Sequence, residues 1–154
     1  GGLKKWMFEN RKVTDKEVKN IPSKYIAKEN NHMIKVKSQI EKNIRTKEFV
    51  VIDARSKKRF LGLEPEPRPE VKSGFIENSK SLPFNELINN KTNTFIDKKD
   101  LKKKFNSLEI NGPNIVTSCG SSVTAATLAL AYFLINDDYI PKIYLGSWTE
   151  YGKK

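Results

Sequence analysis

Ile115-Val116-Thr117-Ser118-Cys119-Gly120-Ser121-Ser122-Val123-Thr124-Ala125-Ala126 decides how this chain folds. Ile115 to Ser118 has the branching and length of a buried strand in a parallel sheet. Thr124 to Ile135 is apolar on nearly every face, which predicts a helix covered on several sides. Between them lies a tight loop of small residues around the only cysteine. Parallel α/β sheets put ligand sites at the carboxyl ends of their strands. Backbone N–H groups of such a loop converge beside the positive end of the helix dipole. Gly120 admits positive φ there, and Ser121 and Ser122 add hydroxyl groups. A sulfur in that position is expected to be ionised and to act as a nucleophile, or to carry a bound sulfur atom. The competing expectation is a structural cysteine, since a free thiol also packs as a small hydrophobe.

Outward from the loop, the pattern alternates. Met33, Val36, Ile40 and Ile44 recur at helical spacing. Phe49-Val50-Val51-Ile52 reads as a second buried strand, ending in Asp53. Glu64-Pro65-Glu66-Pro67-Arg68-Pro69 must be an extended loop, because each proline fixes φ and removes a donor. Ser81 to Phe84 is a short extended piece, and Leu101, Phe105 and Leu108 mark a helix broken by Asn111-Gly112-Pro113. Lys142 to Leu145 is a last strand, closed by Gly146-Ser147-Trp148. Strands alternating with helices predict an α/β domain with a central, mainly parallel sheet flanked by helices. Residues 32–154 are expected to form that domain. Residues 1–31 are polar from Glu9 on and read as a linker, preceded by the tail of something earlier.

The bulk properties exclude several classes. No stretch reaches the 18 or so apolar residues of a membrane span, and no apolar core with a cleavage site marks a signal peptide. One cysteine makes no internal disulfide, which suits a reducing, cytoplasmic compartment. One cysteine and one histidine (His32) give no set of zinc ligands, and no cofactor is expected. The net charge of +11 could suggest nucleic acid. Only Arg11, Arg45, Arg55, Arg59 and Arg68 are arginines, however, and the other 24 basic residues are lysines spread along the chain. The charge therefore reads as a solvated surface, with no nucleic-acid or membrane partner.

Six separated segments, in order, resemble the two-domain rhodanese family, in particular the C-terminal catalytic domain of its 3-mercaptopyruvate branch. They are Gly1-Gly2-Leu3-Lys4-Lys5-Trp6, Asp53-Ala54-Arg55 with Arg59-Phe60-Leu61-Gly62, Glu64-Pro65-Glu66-Pro67-Arg68, Ser73-Gly74-Phe75-Ile76, Cys119-Gly120-Ser121-Ser122-Val123-Thr124 and Gly146-Ser147-Trp148-Thr149-Glu150-Tyr151. The resemblance implies a three-layer rhodanese fold and a sulfurtransferase. Cys119 would take a sulfane sulfur from 3-mercaptopyruvate as a persulfide, release pyruvate, and pass the sulfur to a thiol or cyanide. A thioredoxin-like protein is one candidate acceptor. The amides of Gly120, Ser121, Ser122, Val123 and Thr124 would hold the anion. Ser121 would help move a proton, or else simply hold the turn. Arg59 and Arg68 would bind the donor's carboxylate; otherwise Arg59 is a surface or Asp53-paired arginine and Arg68 a solvated loop charge. Arg55 is expected in a structural ion pair. Residues 1–31 would then carry the tail of a preceding rhodanese domain.

Ser122, Phe75 and Leu145 depart from the family's glycine, histidine and aspartate. The departures, together with the absence here of a first domain, keep open a non-catalytic rhodanese-like binding module and a thiosulfate sulfurtransferase. A cysteine phosphatase does not fit, because Thr124 and Ala125 stand where its arginine would.

Overall fold

The structure is a computed structural model, and it describes residues 1–110 and 114–154. Five strands form one sheet: β1 (Ile34–Lys35), β2 (Val50–Asp53), β3 (Lys80–Ser81), β6 (Ile115–Ser118) and β7 (Lys142–Tyr144). Their order is β1-β7-β6-β2-β3, and every pairing is parallel. A separate antiparallel pair, β4 (Ile88–Asn89) with β5 (Thr94–Phe95), sits outside the sheet. The helices are α1 (Gly2–Phe8), α2 (Lys37–Thr46), α3 (Lys57–Phe60), α4 (Lys98–Asn106), α5 (Val123–Phe133) and α6 (Ser147–Tyr151).

Alternation along the two central strands builds two cores. Ile52, Ala54, Ile115 and Cys119 face one way and pack with Leu101 and Phe105 of α4 and with Ala125, Leu128 and Ala131 of α5. Val51 and Val116 face the other way and pack with Ile40 of α2, Tyr144 and Trp148 of α6. The result is the expected three layers: helices, a parallel sheet, helices. The chain runs from β2 to β3 on one side and from β6 to β7 on the other. Its direction of growth therefore reverses between β2 and β6, the kind of crevice where open α/β sheets bind ligands.

Several expectations need correction. The helix predicted from Met33 begins at Lys37. Met33 lies in a short 3-10 turn, and Ile34–Lys35 pair with Ile143 and Tyr144 at the sheet edge. Val36 is extended and starts the helix, its N–H donating to Gln39 Oε1 at 3.1 Å. The helical spacing across Met33 and Val36 is thus a coincidence of an edge strand running into a helix. The final strand stops at Tyr144, and Gly146-Ser147-Trp148 does not merely close it but opens α6. The break expected at Asn111-Gly112-Pro113 lies outside the described residues. Residues 9–30 form no helix or strand, and α1 buries none of its side chains.

Candidate active site

Strand β6 delivers Cys119 to the crevice beside Ala54, whose N–H donates to Ser118 O at 2.8 Å. Cys119 is only 2 % exposed and packs against the α4–α5 core. Helix α5 begins four residues later, so its first-turn amides lie at the loop.

The loop owes its shape to α6, which the sequence marks as the end of a strand and as a family-like segment but not as a partner of the loop. The first-turn N–H groups of a helix have no partner within it. In α6, Trp148 N–H donates to Cys119 O and Thr149 N–H to Gly120 O, both at 2.9 Å. Ser147 is wholly buried and sits at φ +50°. Its Oγ accepts the N–H groups of Cys119 (3.2 Å) and Ser122 (3.1 Å), and donates to Tyr144 O (2.9 Å). One hydroxyl thus pins both ends of the loop to β7. Thr149 Oγ1 adds a third tie, donating to Gly120 O at 2.6 Å.

These ties correct the expected cradle. The Ser122 amide is spent on Ser147 and does not belong to it. The amides of Gly120, Ser121, Val123 and Thr124 donate to no protein group among the described residues. They are four donors grouped between the end of a strand and the start of a helix, the arrangement that holds an anion. Ser122 does occupy the left-handed region, at φ +62°. A serine there carries strain of a few tenths to about 2 kcal/mol, and its Oγ turns back to Ser121 O at 2.7 Å. Ser121 is exposed, and Thr124 is half-buried at the start of α5.

The two arginines reach the loop by different routes. Arg59 lies on α3, capped by Ser56 Oγ, which accepts the Arg59 N–H at 3.2 Å. Its guanidinium stands so close to the loop that a Cβ on Gly120 would lie 3.3 Å from Nη2. Its partner is Glu66, neither the surface nor Asp53: Nη2 to Oε2 at 2.5 Å and Nε to Oε1 at 3.2 Å. Nη1 carries no protein hydrogen bond among the described residues. Arg68 is exposed, and its Nη1 donates to Thr149 Oγ1 at 3.1 Å.

Beneath them Arg55 forms the expected structural pair. Its side chain is buried, bonded to Asp53 through Nε and Nη2 (2.8–3.1 Å), to Glu66 Oε1 (2.8 Å) and to Gly74 O (2.8 Å). Its guanidinium lies 4.6 Å from the Trp148 ring centroid. Glu66 therefore serves two arginines at once. Burial pushes its carboxyl up, but the Arg59 hydrogen bond and the charges of Arg55 and Arg59 outweigh this and hold it below the usual carboxylate range. Phe75, in the place of the family's histidine, stacks on Phe60 with ring centroids 4.7 Å apart. Leu145 is exposed.

Comparison with known proteins agrees with this architecture. Residues 36–154 match the model of the rhodanese-like domain. The chain is 32 % identical over 154 residues to mouse 3-mercaptopyruvate sulfurtransferase, covering 98 % of this chain and 50 % of that one. It is 38 % identical over 122 residues to a mitochondrial thiosulfate/3-mercaptopyruvate sulfurtransferase of Arabidopsis thaliana, covering 79 % and 32 %. The crystal structure of SseA from Escherichia coli, a 3-mercaptopyruvate sulfotransferase with the rhodanese fold, superposes with a TM-score of 0.79 at 25 % identity, over 96 % of this chain and 54 % of that one. The chain thus spans about half or less of the length of these relatives. With the parallel sheet, the strand-to-helix cysteine loop and the matching residues together, this chain belongs to the rhodanese-like domain family.

Proposed function

We propose that this chain is the catalytic cysteine domain of a sulfurtransferase, and that its donor is 3-mercaptopyruvate. One observation carries the reading: the segment that follows Cys119 into α5 holds four amides without protein acceptors among the described residues. Donors of that kind can hold an anion such as the outer sulfur of a persulfide. The Cys119 thiolate attacks the donor's sulfur and a sulfur–sulfur bond forms. The donor's carbon–sulfur bond breaks, its electron pair leaving in the pyruvate enolate, which takes up a proton. Ser121, exposed at the loop, offers a hydroxyl for that transfer. A thiol or cyanide then removes the outer sulfur and restores Cys119.

Arg59, beside Gly120, supplies positive charge for the donor's carboxylate, with Nη1 as its free donor. Arg68 reaches the loop through Thr149. The acceptor is a small thiol or a thioredoxin-like protein, and a reducing compartment such as the cytoplasm suits an unpaired cysteine. Residues 1–31 join this domain to a preceding rhodanese domain in the longer protein.

Incubation with 3-mercaptopyruvate and a thiol is expected to yield pyruvate, and Cys119→Ser none. Pyruvate from the serine variant would reject the role of Cys119, and faster turnover of thiosulfate would make that the donor. A second reading, a non-catalytic binding module, draws on the low exposure of Cys119 and the strained Ser122. Alkylation separates them: a reactive Cys119 is modified by iodoacetamide in the folded chain, whereas a purely structural one, 2 % exposed, is modified only on unfolding.

A further inference from the structure

Thr149 has a pair of bonds that the sulfur chemistry does not use. Its Oγ1 accepts from Arg68 Nη1 at 3.1 Å and donates its single proton to Gly120 O at 2.6 Å. A hydroxyl has one proton, so these two bonds fix its direction. The line runs from a guanidinium, through a hydroxyl, to a carbonyl of the cysteine loop. Gly120 O accepts a second bond from the Thr149 N–H at 2.9 Å.

The Gly120 carbonyl shares its peptide group with the Ser121 N–H. Resonance across that group couples its two ends. Donors on the carbonyl draw electron density from the nitrogen and make its N–H a stronger donor, an effect larger when the chain begins at a charge. The Ser121 N–H has no protein acceptor among the described residues and stands in the anion cradle.

We propose that Thr149 is a positioning residue that ties Arg68 to the cysteine loop, so that the Arg68 charge both faces an incoming carboxylate and strengthens the Ser121 amide toward the anion. This rests on Cys119 being the reactive sulfur. It goes beyond that reading by giving a role to a side chain that touches neither donor nor sulfur.

Two alkylating reagents of similar size test it, because iodoacetate carries a carboxylate and iodoacetamide does not. The readout is the ratio of their rates at Cys119 in the whole chain. Thr149→Val removes the bridge at nearly constant shape and is expected to lower the iodoacetate preference roughly three- to tenfold, the worth of about one hydrogen bond. Thr149→Ser is expected to restore it. Arg68→Gln should lower it as far, and the double variant no further than Arg68→Gln alone. Arg68 is exposed, so Arg68→Gln carries the test if Thr149→Val does not fold. An unchanged ratio in Thr149→Val, or in Arg68→Gln, overturns the proposal. Equal slowing of both reagents by Thr149→Val also overturns it, because that is what loss of loop structure alone would give. No reaction with either reagent removes both the Cys119 reading and this one. Failure of the wild-type chain to make pyruvate would instead reject the mercaptopyruvate donor and leave the ratio standing.

Discussion

Strands β2 and β6 lie side by side in register, Asp53 against Ser118, and end at the same edge of the sheet. Beyond that edge the two segments are opposite in kind. After β2, Arg55 turns its guanidinium into the protein and meets Asp53, Glu66, Gly74 O and the Trp148 ring. After β6, the backbone of residues 120–124 keeps four amides without a protein partner among the described residues. The first end is satisfied from within and can only hold the fold. The second has no partner from its own backbone, and these are the donors that the proposed anion would take. Glu66 and Arg59 join the two, because the carboxylate that neutralises Arg55 also aims Arg59 at Gly120.

Breaking the closed end should cost most. Arg55→Met leaves Asp53 and Glu66 buried without their shared partner, and a loss of about 3–5 kcal/mol is expected for a broken buried pair. Urea denaturation measures it. A loss under about 1 kcal/mol, within the range of an exposed pair, would mean that the cluster is solvated.

Ser147→Ala sits between the two ends in size. It removes the acceptor of the Cys119 and Ser122 amides, which should cost about 1–3 kcal/mol. It should also loosen the loop, so that hydrogen exchange at Ser122 rises more than at Ile52 in β2. Equal changes at both positions would show a global effect without a local one.

Acid should weaken the closed end through Glu66. Its carboxyl is held below the usual value of 4.5 in the folded protein. The stabilisation is therefore present above the unfolded value and is lost as pH falls through the folded one. Stability should drop as pH goes below about 4.5, and less steeply in Glu66→Gln. The same slope in both proteins would remove Glu66 from the account.

The smallest effect belongs to the open end. Ser122→Gly relieves the φ of +62° and should stabilise by a few tenths to about 2 kcal/mol, less the entropy glycine adds to the unfolded chain. Destabilisation would show that Ser122 Oγ on Ser121 O matters more than the strain.

The two ends are not equally legible in sequence. The β6–loop–α5 unit can be read nearly residue for residue, because its apolar runs and small-residue turn are contiguous. The ion pair of Arg55 can be expected, but its second partner Glu66 lies 11 residues on, inside a proline-rich loop with no period. Ser147 leaves no periodic signal: its part in the loop comes from a contact 28 residues away. A serine after glycine at the end of a strand suits many turns, and the family-like segment Gly146–Tyr151 marks the place without naming its contact. Strands β1, β4 and β5 have two residues each, too few for alternation to show. Helix α3 is a single turn of Lys57, Lys58, Arg59 and Phe60, which reads as surface charge until Ser56 is seen to cap it.

The most direct measurement is the mass of the Cys119 peptide after brief exposure to 3-mercaptopyruvate without an acceptor thiol. The account predicts a gain of one sulfur atom on that peptide, with release of pyruvate in equal amount, and loss of the added atom when cyanide is supplied. An unmodified Cys119 peptide beside released pyruvate would contradict it.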